Sequence, residues 1–412
     1  MLRAELQELI RNGESSGVEF KRDTVSNYDL AKEIVAFANF AGGVVLLGVG
    51  DDGTVHGTSR ADLEEWVMQL CRDKIDPPII PYYEVQKDVE LGRDVAVVRV
   101  LQGPDKPYAR FHDNRRTYYV RVGTTSREAS REELERMFQE AGRLRYGMKP
   151  VPGAAFDDLD LRRLKDYFGR VLNQMFPADD DSAEWQRLLS NLELMVNPGD
   201  RVVPTVDGML LFGRNPKRFL PQSGIRAIAY PGNQPDYATR ADQDLVGPML
   251  PLMSSGGSPP ETVIVEIGLV EQALDFVGRN TQPEARIKDG VRIDHPAYPP
   301  EVLREVVVNA LVHRDYSIAG TDITLMLFDD RLEIKSPGRL PNTATVDALR
   351  SGFRYARNQT LVNIMRDYRY VDFRGMGIRD KIIPGMRTHN GTEPELVGTE
   401  REFTVTLLRR GG

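Results

Sequence analysis

The sequence predicts a multidomain α+β protein, and three observations carry that expectation. Its 412 residues exceed what one ordinary core organises, so two to three domains of about 100 to 200 residues are expected. Hydrophobic residues make up 41% and charged residues 28%, which is enough apolar surface for sizeable cores and excludes disorder or a collagen-like repeat. Helix-period and strand-period segments are interspersed without a fixed repeat, and a Pro/Gly-rich stretch at Met148–Asp158 marks a boundary. Domains are therefore placed at 1–147, 148–290 and 291–412.

In the first domain, Glu19–Asp23 reads as a short strand. Asp29–Ala41 has helical apolar spacing at Ile34, Phe37, Ala38 and Ala41, stopped by Gly42 and Gly43. Val44–Gly50 is a glycine-bounded apolar run, a buried strand that enters a turn at Asp51-Asp52-Gly53. A helix over Ala61–Asp73 and strands over Ile79–Gln86, Asp94–Val100 and Thr117–Val122 follow. The helix Arg131–Arg145, opened by Ser130 with Glu133 three residues on, closes the unit. In the middle of the chain, helices are expected over Asp160–Met175 and Ser182–Leu194, and strands over Met209–Gly213 and Ile225–Gly232. A polar, mobile loop is expected over Asn233–Glu261 and a helix over Thr262–Val277. Pro299-Pro300 opens a strong helix, Glu301–His313, followed by strands at Ile323–Asp329, Arg331–Ser336 and Glu402–Leu408.

Composition narrows the function. One cysteine, Cys71, makes no internal disulfide or thiolate cluster and fits a reducing compartment. No stretch approaches the roughly 20 apolar residues that span a bilayer, so a cytoplasmic protein without a membrane partner is expected. The net charge of -7 excludes a global positive field for nucleic acid, leaving local patches. One such patch holds Arg110, Arg115, Arg116 and Arg121 among Tyr108, Tyr118 and Tyr119; it reads equally as a phosphate-binding surface or as a solvated strand edge.

Two groups of residues carry possible chemistry. Glu19 and Lys21 lie two apart on a strand and so share a face, with Glu14 before them and Asp51 after the next strand. A surface ion pair is the plain reading; two or three carboxylates holding Mg²⁺ or Mn²⁺, with Lys21 on a phosphate, is the functional one. Further on, Glu305 and Asn309 are four apart on a helix, a spacing that places both on one side. No G-x-x-x-x-G-K-[ST] phosphate loop is present.

The segments GESSGVEFKRD (13–23), IVAFANFAGGVVLLGVGDDGTVHG (34–57) and YYVRVGTTSREASREELERMF (118–138) resemble, in order and spacing, the Schlafen AlbA-type domain, also called divergent AAA. That resemblance implies nucleic-acid binding, and in members that cut RNA it implies catalytic and metal-binding roles for Glu14, Glu19 and Asp51, with Lys21 beside them. Asn39, Gly42 and Gly43 match its Asn-x-x-Gly-Gly element, which also reads as helix-end chemistry. HPAYPPEVLREVVVNALVHRDYS (295–317) is similar to the N-box of GHKL-type ATPases, and IKSPGRLP (334–341) and FRGMGIRDKI (373–382) to their glycine segments. This implies ATP bound by Glu305, Asn309, Gly338, Gly375 and Gly377 in an α/β sandwich. The adenine-reading Asp of active GHKL enzymes is replaced here by Ser336-Pro337-Gly338. His313–Tyr316 reads as a packing cluster at the helix end. Pro204–Gly232 is similar to the linker of bacterial proteins that join both domains and are described as transcriptional regulators.

These readings converge on a nucleic-acid-binding protein, able to cleave RNA or single-stranded DNA with a metal and carrying a nucleotide-sensing domain, with a homodimer as the default assembly. A non-catalytic ATP-binding DNA-binding regulator and a nucleotide-sensing scaffold are the alternatives.

Overall fold

Strict alternation along the early strands explains how the N-terminal part builds two cores from one sheet. In the computed structural model, Val45 and Leu47 face one way with Ala96 and Val98, while Leu46 faces the other with Phe20, Val95 and Val97. The sheet is thus covered on both sides, which is why Val44–Leu47 reads as an uninterrupted apolar run. The described residues are all except 1, 104, 142–143, 256–261, 283, 289–290, 341–343, 354, 372–376 and 410–412. They divide into two compact units, Met1–Leu144 and Arg145–Gly412.

The first unit has a four-stranded sheet in the order Val18–Lys21, Gly43–Leu47, Arg93–Val100, Tyr82–Glu90, with only the first pair parallel. A second sheet runs Ile75–Asp76, Ala109–His112, Arg115–Val122, Thr125–Glu128. The helix Asn27–Asn39, capped by Ser26 accepting from the Asp29 amide, packs against both through Leu30, Ile34 and Phe37. At its end, buried Asn39 donates to the carbonyls of Tyr108 (2.8 Å) and Tyr119 (3.0 Å) and accepts from the Tyr108 amide (2.7 Å). Gly43 must lack a side chain, since a Cβ there would stand 2.2 Å from the Phe37 ring. The Asn-x-x-Gly-Gly element is therefore structural in this chain.

The second unit is organised by a six-stranded sheet in the order Ala241–Leu245, Ile225–Ala229, Ile323–Leu327, Arg331–Pro337, Glu402–Leu408, Glu395–Gly398. The helices Pro300–His313 and Leu269–Asn280 pack on it in one core that also takes in Trp185, Phe212 and Phe276. The expected boundary at 147/148 falls beside the division between the units, whereas 290/291 falls inside the second. There Ile225–Ala229, from the segment expected as a linker, pairs in parallel with Ile323–Leu327.

Several elements differ from expectation. Met209–Gly213 is not a strand; it lies in the helix Val206–Phe212, capped by Thr205 Oγ1 accepting from the Gly208 amide at 3.1 Å. All seven helix residues are buried, and a short element buried on every side shows no period that separates helix from strand. The helix expected over Thr262–Val277 begins later: Thr262–Glu266 is a strand, as its β-branched residues favour, and the helix runs Leu269–Asn280. The loop expected over Asn233–Glu261 contains the strands Ala241–Leu245 and Leu252–Ser255, and its last residues, 256–261, lie outside the described residues. Asp160–Met175 is the helix Leu161–Asp166 continued by a wider turn at Tyr167–Val171.

Candidate functional site

In the first unit, Glu19 and Lys21 project from the same face of the strand Val18–Lys21, and the chain brings Glu14 and Asp51 beside them. Lys21 Nζ lies 2.6 Å from Glu19 Oε1, 3.7 Å from Asp51 Oδ1 and 4.0 Å from Glu14 Oε1. Glu14 Oε1 also accepts from the Phe20 amide at 2.9 Å. On the other side of Glu19, buried Arg121 approaches Glu19 Oε2 at 2.7 Å and Glu33 Oε2 at 2.9 Å, and donates to the Ser15 carbonyl at 2.8 Å. Burial raises the pKa of Glu19, against the hydrogen bond from Lys21. Burial also acts to lower that of Lys21, but the hydrogen bond and charge of Glu19 outweigh it and the ammonium is stabilised.

The structure thus brings all four expected residues together. Three carboxylates are the right donor type for a hard divalent ion. Their arrangement is different: they close on the Lys21 ammonium, and both oxygens of Glu19 already face cations. Among the described residues no group of three or more His, Cys, Asp and Glu side chains is arranged to hold a metal. As placed, these residues do not fit Mg²⁺ or Mn²⁺.

The four arginines separate. Arg121 has a side-chain exposure of 0% and leaves the expected phosphate surface, because a guanidinium enclosed by two carboxylates has nothing to offer a ligand. Arg116 pairs with Asp76, and Arg115 is exposed next to it. Arg110 lies flat over Tyr28, its guanidinium carbon 3.7 Å from the ring centroid, and Tyr28 meets Tyr119 hydroxyl to hydroxyl at 3.1 Å. Among the described residues Arg110 has no hydrogen-bond or ion-pair partner, and its Nε is buried.

In the second unit, Glu305, Asn309 and His313 follow one another at four-residue intervals along the helix Pro300–His313 and line one cavity of about 360 Å³. Gly338 and Gly377 line it too, so four of the five residues expected at a nucleotide meet there; Gly375 lies outside the described residues. Each glycine has a reason. A Cβ on Gly377 would stand 1.9 Å from Glu305 Oε1, and Gly338 has φ +116° and backs onto Asp315 and Arg357. Asn309 Nδ2 donates to Glu305 Oε1 at 3.4 Å, and Lys381 Nζ lies 3.3 Å from Glu305 Oε2.

The opposite end of the cavity was not read from the sequence. Arg357 Nη1 pairs with Asp315 Oδ2 at 2.9 Å, both groups buried. Ser336 donates to the Ala310 carbonyl at 2.8 Å. Asn358 Nδ2 caps the helix by donating to the carbonyls of Val312 and Arg314, both at 2.9 Å. Arg314 and Tyr316 are packing residues, as expected: Arg314 donates to the Ile318 and Thr321 carbonyls and Tyr316 to that of Leu311. His313 differs from them, since its surface opens onto the cavity. Its position one helical turn beyond Asn309 was the available signal.

The Schlafen, AlbA_2 family model matches residues 14–130, and the model described as "Putative ATP-dependent DNA helicase recG C-terminal" (HATPase_c_4) matches 320–407. The helix bearing Glu305 and Asn309 precedes that second match. Among solved structures, the DIP2311 protein from Corynebacterium diphtheriae is 20% identical, over 99% of this chain and 80% of that one, at a TM-score of 0.42. The N-terminal domain of a RecG-related protein from Nitrosomonas europaea is 19% identical, over 32% of this chain and 94% of that one, at a TM-score of 0.25. No curated protein matches. The chain is accordingly similar to the Schlafen, AlbA_2 family over residues 14–130 and to the HATPase_c_4 family over residues 320–407.

Proposed function

We propose that this is a nucleic-acid-associated protein whose C-terminal unit binds a nucleotide, ATP in the first instance, and whose N-terminal unit meets RNA or single-stranded DNA. One observation carries the nucleotide half: Glu305, Asn309, Gly338 and Gly377, distant in sequence, line a single cavity of ligand size. The Asn309 amide and the Glu305 carboxylate line that cavity, and Lys381 Nζ lies 3.3 Å from Glu305, groups suited to a phosphate chain and its counterion. Mg²⁺·ATP at about 100 times its Kd should protect the protein against thermal unfolding by about 2.7 kcal/mol. Asn309→Ala should remove that protection. Unchanged protection in the variant would sink this assignment and leave the scaffold reading of the second unit.

For the N-terminal unit, Arg110 over the Tyr28 ring, without a hydrogen-bond or ion-pair partner among the described residues, and exposed Arg115 on the next strand opposite His112 support contact with a phosphate backbone. The slope of log affinity against log salt measures this, at roughly 0.7 per phosphate neutralised on a single strand. No slope means no such contact.

The finer reading is metal-dependent cleavage by Glu14, Glu19, Lys21 and Asp51. The convergence of three acids on one point favours it, and the ammonium at that point opposes it. A panel of tRNA, single-stranded RNA, and single- and double-stranded DNA, with Mg²⁺ or Mn²⁺, decides the matter through Glu19→Ala. Cutting lost in the variant establishes a nuclease. Salt-sensitive binding without cutting in either protein establishes a non-catalytic reader, the regulator of the alternative.

A further inference from the structure

In the second unit the strands Leu252–Ser255 and Thr262–Glu266 form a two-stranded sheet, and β-branched residues follow one another along the second strand. Val263, Ile264, Val265 and Ile267 are 55%, 43%, 57% and 51% exposed. Val263 and Ile264 are neighbours and point to opposite sides, so both faces of the ribbon are open. A two-stranded ribbon has too little core of its own to make such a stripe comfortable in water. Outer strands elsewhere are blunted by exposed charge: Lys87, Asp88 and Glu90 on Tyr82–Glu90, Asp242 and Asp244 on Ala241–Leu245, and Glu395 on Glu395–Gly398. The segment Thr262–Ile267 carries one charge, Glu266, and it is matched within the chain. Arg162 Nη1 lies 2.6 Å from Glu266 Oε1, and Arg163 Nη2 lies 3.1 Å from Glu266 Oε2.

Chemistry narrows what can cover this stripe. Ile264 is opposite Met253 and Glu266 opposite Leu252, so Val265 is the extra residue of a bulge. A bulge breaks the row of amides and carbonyls, which works against an extended peptide adding as a third strand. The phosphates of a nucleic acid or an anionic lipid surface need unengaged cations, and both arginines at Glu266 are engaged twice, since each also pairs with Asp160, at 2.9 Å from Arg162 and 2.5 Å from Arg163. Two arginines and two acids make a neutral group. A second copy of the chain fits on each count: it brings the same apolar residues and sets a neutral group against a neutral group, although each chain carries a net charge of -7. Pairing about a two-fold axis also covers both stripes at once and leaves none open. Ile267 lines a neighbouring concavity with Leu245, Gln272 and Arg279, which extends the patch beyond the ribbon.

We propose that a second copy of this chain docks on the stripe, the two ribbons burying Val263, Ile264, Val265 and Ile267 against each other about a two-fold axis. The homodimer, a default in the sequence, is thereby given a location. Four half-exposed side chains of this size offer roughly 100 to 250 Å² per copy. That is below the roughly 800 Å² per partner of a tight complex, so the dimer is weak and forms in the micromolar range.

Sedimentation velocity of the full chain from about 1 to about 300 µM, a span that brackets a weak dimer, tests this. The weight-average mass should climb from 46.4 kDa toward twice that value. Ile264→Lys and Val265→Lys, which set like charges against each other across the axis, should each weaken association about tenfold or more. Val265→Ile should preserve it. Val397→Lys adds the same charge at a residue 51% exposed on another outer strand and should leave association unchanged. Thermal melting at the lowest concentration checks that the variants fold. The proposal falls if the wild type stays at 46.4 kDa throughout, or if a dimer forms that Ile264→Lys and Val265→Lys leave intact. A monomer that instead floats with vesicles of phosphatidylcholine and phosphatidylserine gives the stripe to a lipid surface and overturns the proposal too. None of these residues lines the cavity beside Asn309, so such a failure leaves the nucleotide reading standing.

Discussion

The acid cluster around Lys21 and the cavity beside Asn309 look alike as sequence patterns, a few acids and a partner at regular spacing, yet they are opposite kinds of place. Around Lys21 each charge finds its complement inside the protein: three carboxylates meet one ammonium, and Glu19 also meets Arg121. Beside Asn309 the chain leaves open volume and an imidazole with no described partner. Spacing identifies residues that share a face; only the structure tells whether the space between them is filled. A polar group is informative about ligands when its own protein has not satisfied it.

Substitutions can break or sharpen that contrast. The largest expected effect is at Arg121. Removing it in Arg121→Ala leaves buried Glu19 with Lys21 alone and buried Glu33 with Lys32 alone, which should cost about 3 kcal/mol in denaturant unfolding. A loss below 1 kcal/mol would mean that the cluster is not internally balanced.

Asp207 gives a third kind of place, an acid without space whose charge is offset only in part, by Arg145 and the Thr360 hydroxyl. It is buried beneath Gly147, where a Cβ would stand 2.2 Å from its carboxylate, and its Oδ1 has no hydrogen-bond partner. Burial, with the Glu193 charge adding to it, raises its pKa to about 7. Between the unfolded value of 3.8 and about 7, the folded state binds the proton and the unfolded state does not. Stability therefore falls as pH rises through that window. Asp207→Asn should stabilise the protein at pH 8 by on the order of 2 to 4 kcal/mol and by little at pH 4. Equal midpoints at pH 8 would show that the carboxylate is better accommodated than this.

The smallest effect is expected at Lys21, which is partly exposed. Lys21→Gln should cost about 1 kcal/mol at pH 7. A stabilising Lys21→Gln would reverse the contrast, because the three acids would then be better off without their cation.

Much of this was legible in the sequence, for identifiable reasons. Alternation and flanking glycines located Val44–Leu47, and the capping pair Ser130 and Glu133 located the helix Arg131–Glu140, whose box the structure contains. The grouping of Glu305, Asn309, Gly338 and Gly377 was implied by the resemblance to GHKL-type segments, while spacing alone gave only that Glu305 and Asn309 share a helix face. Met209–Phe212 misled because a helix buried all round shows no polar face. Arg121 misled because a strand position says which face a side chain takes but not what covers it. The part of the cavity around His313 went unread because Arg357 reaches it from a segment far from His313 in the chain.

The parallel pairing in the large sheet has a consequence for how the protein is made. Ile225 is hydrogen-bonded in register with Ile323, 98 residues later, while the other neighbour of its strand, Ala241–Leu245, follows almost at once. At synthesis rates of about 5 to 20 residues per second, the Ile225–Ala229 strand waits roughly 5 to 20 seconds for its inner partner. During that interval it sits at the margin of a two-stranded ribbon, with one row of amides and carbonyls unpaired and open to other nascent chains. The ribosome thus hands the cell an unfinished sheet, and the second unit reaches safety only after Leu327 has emerged.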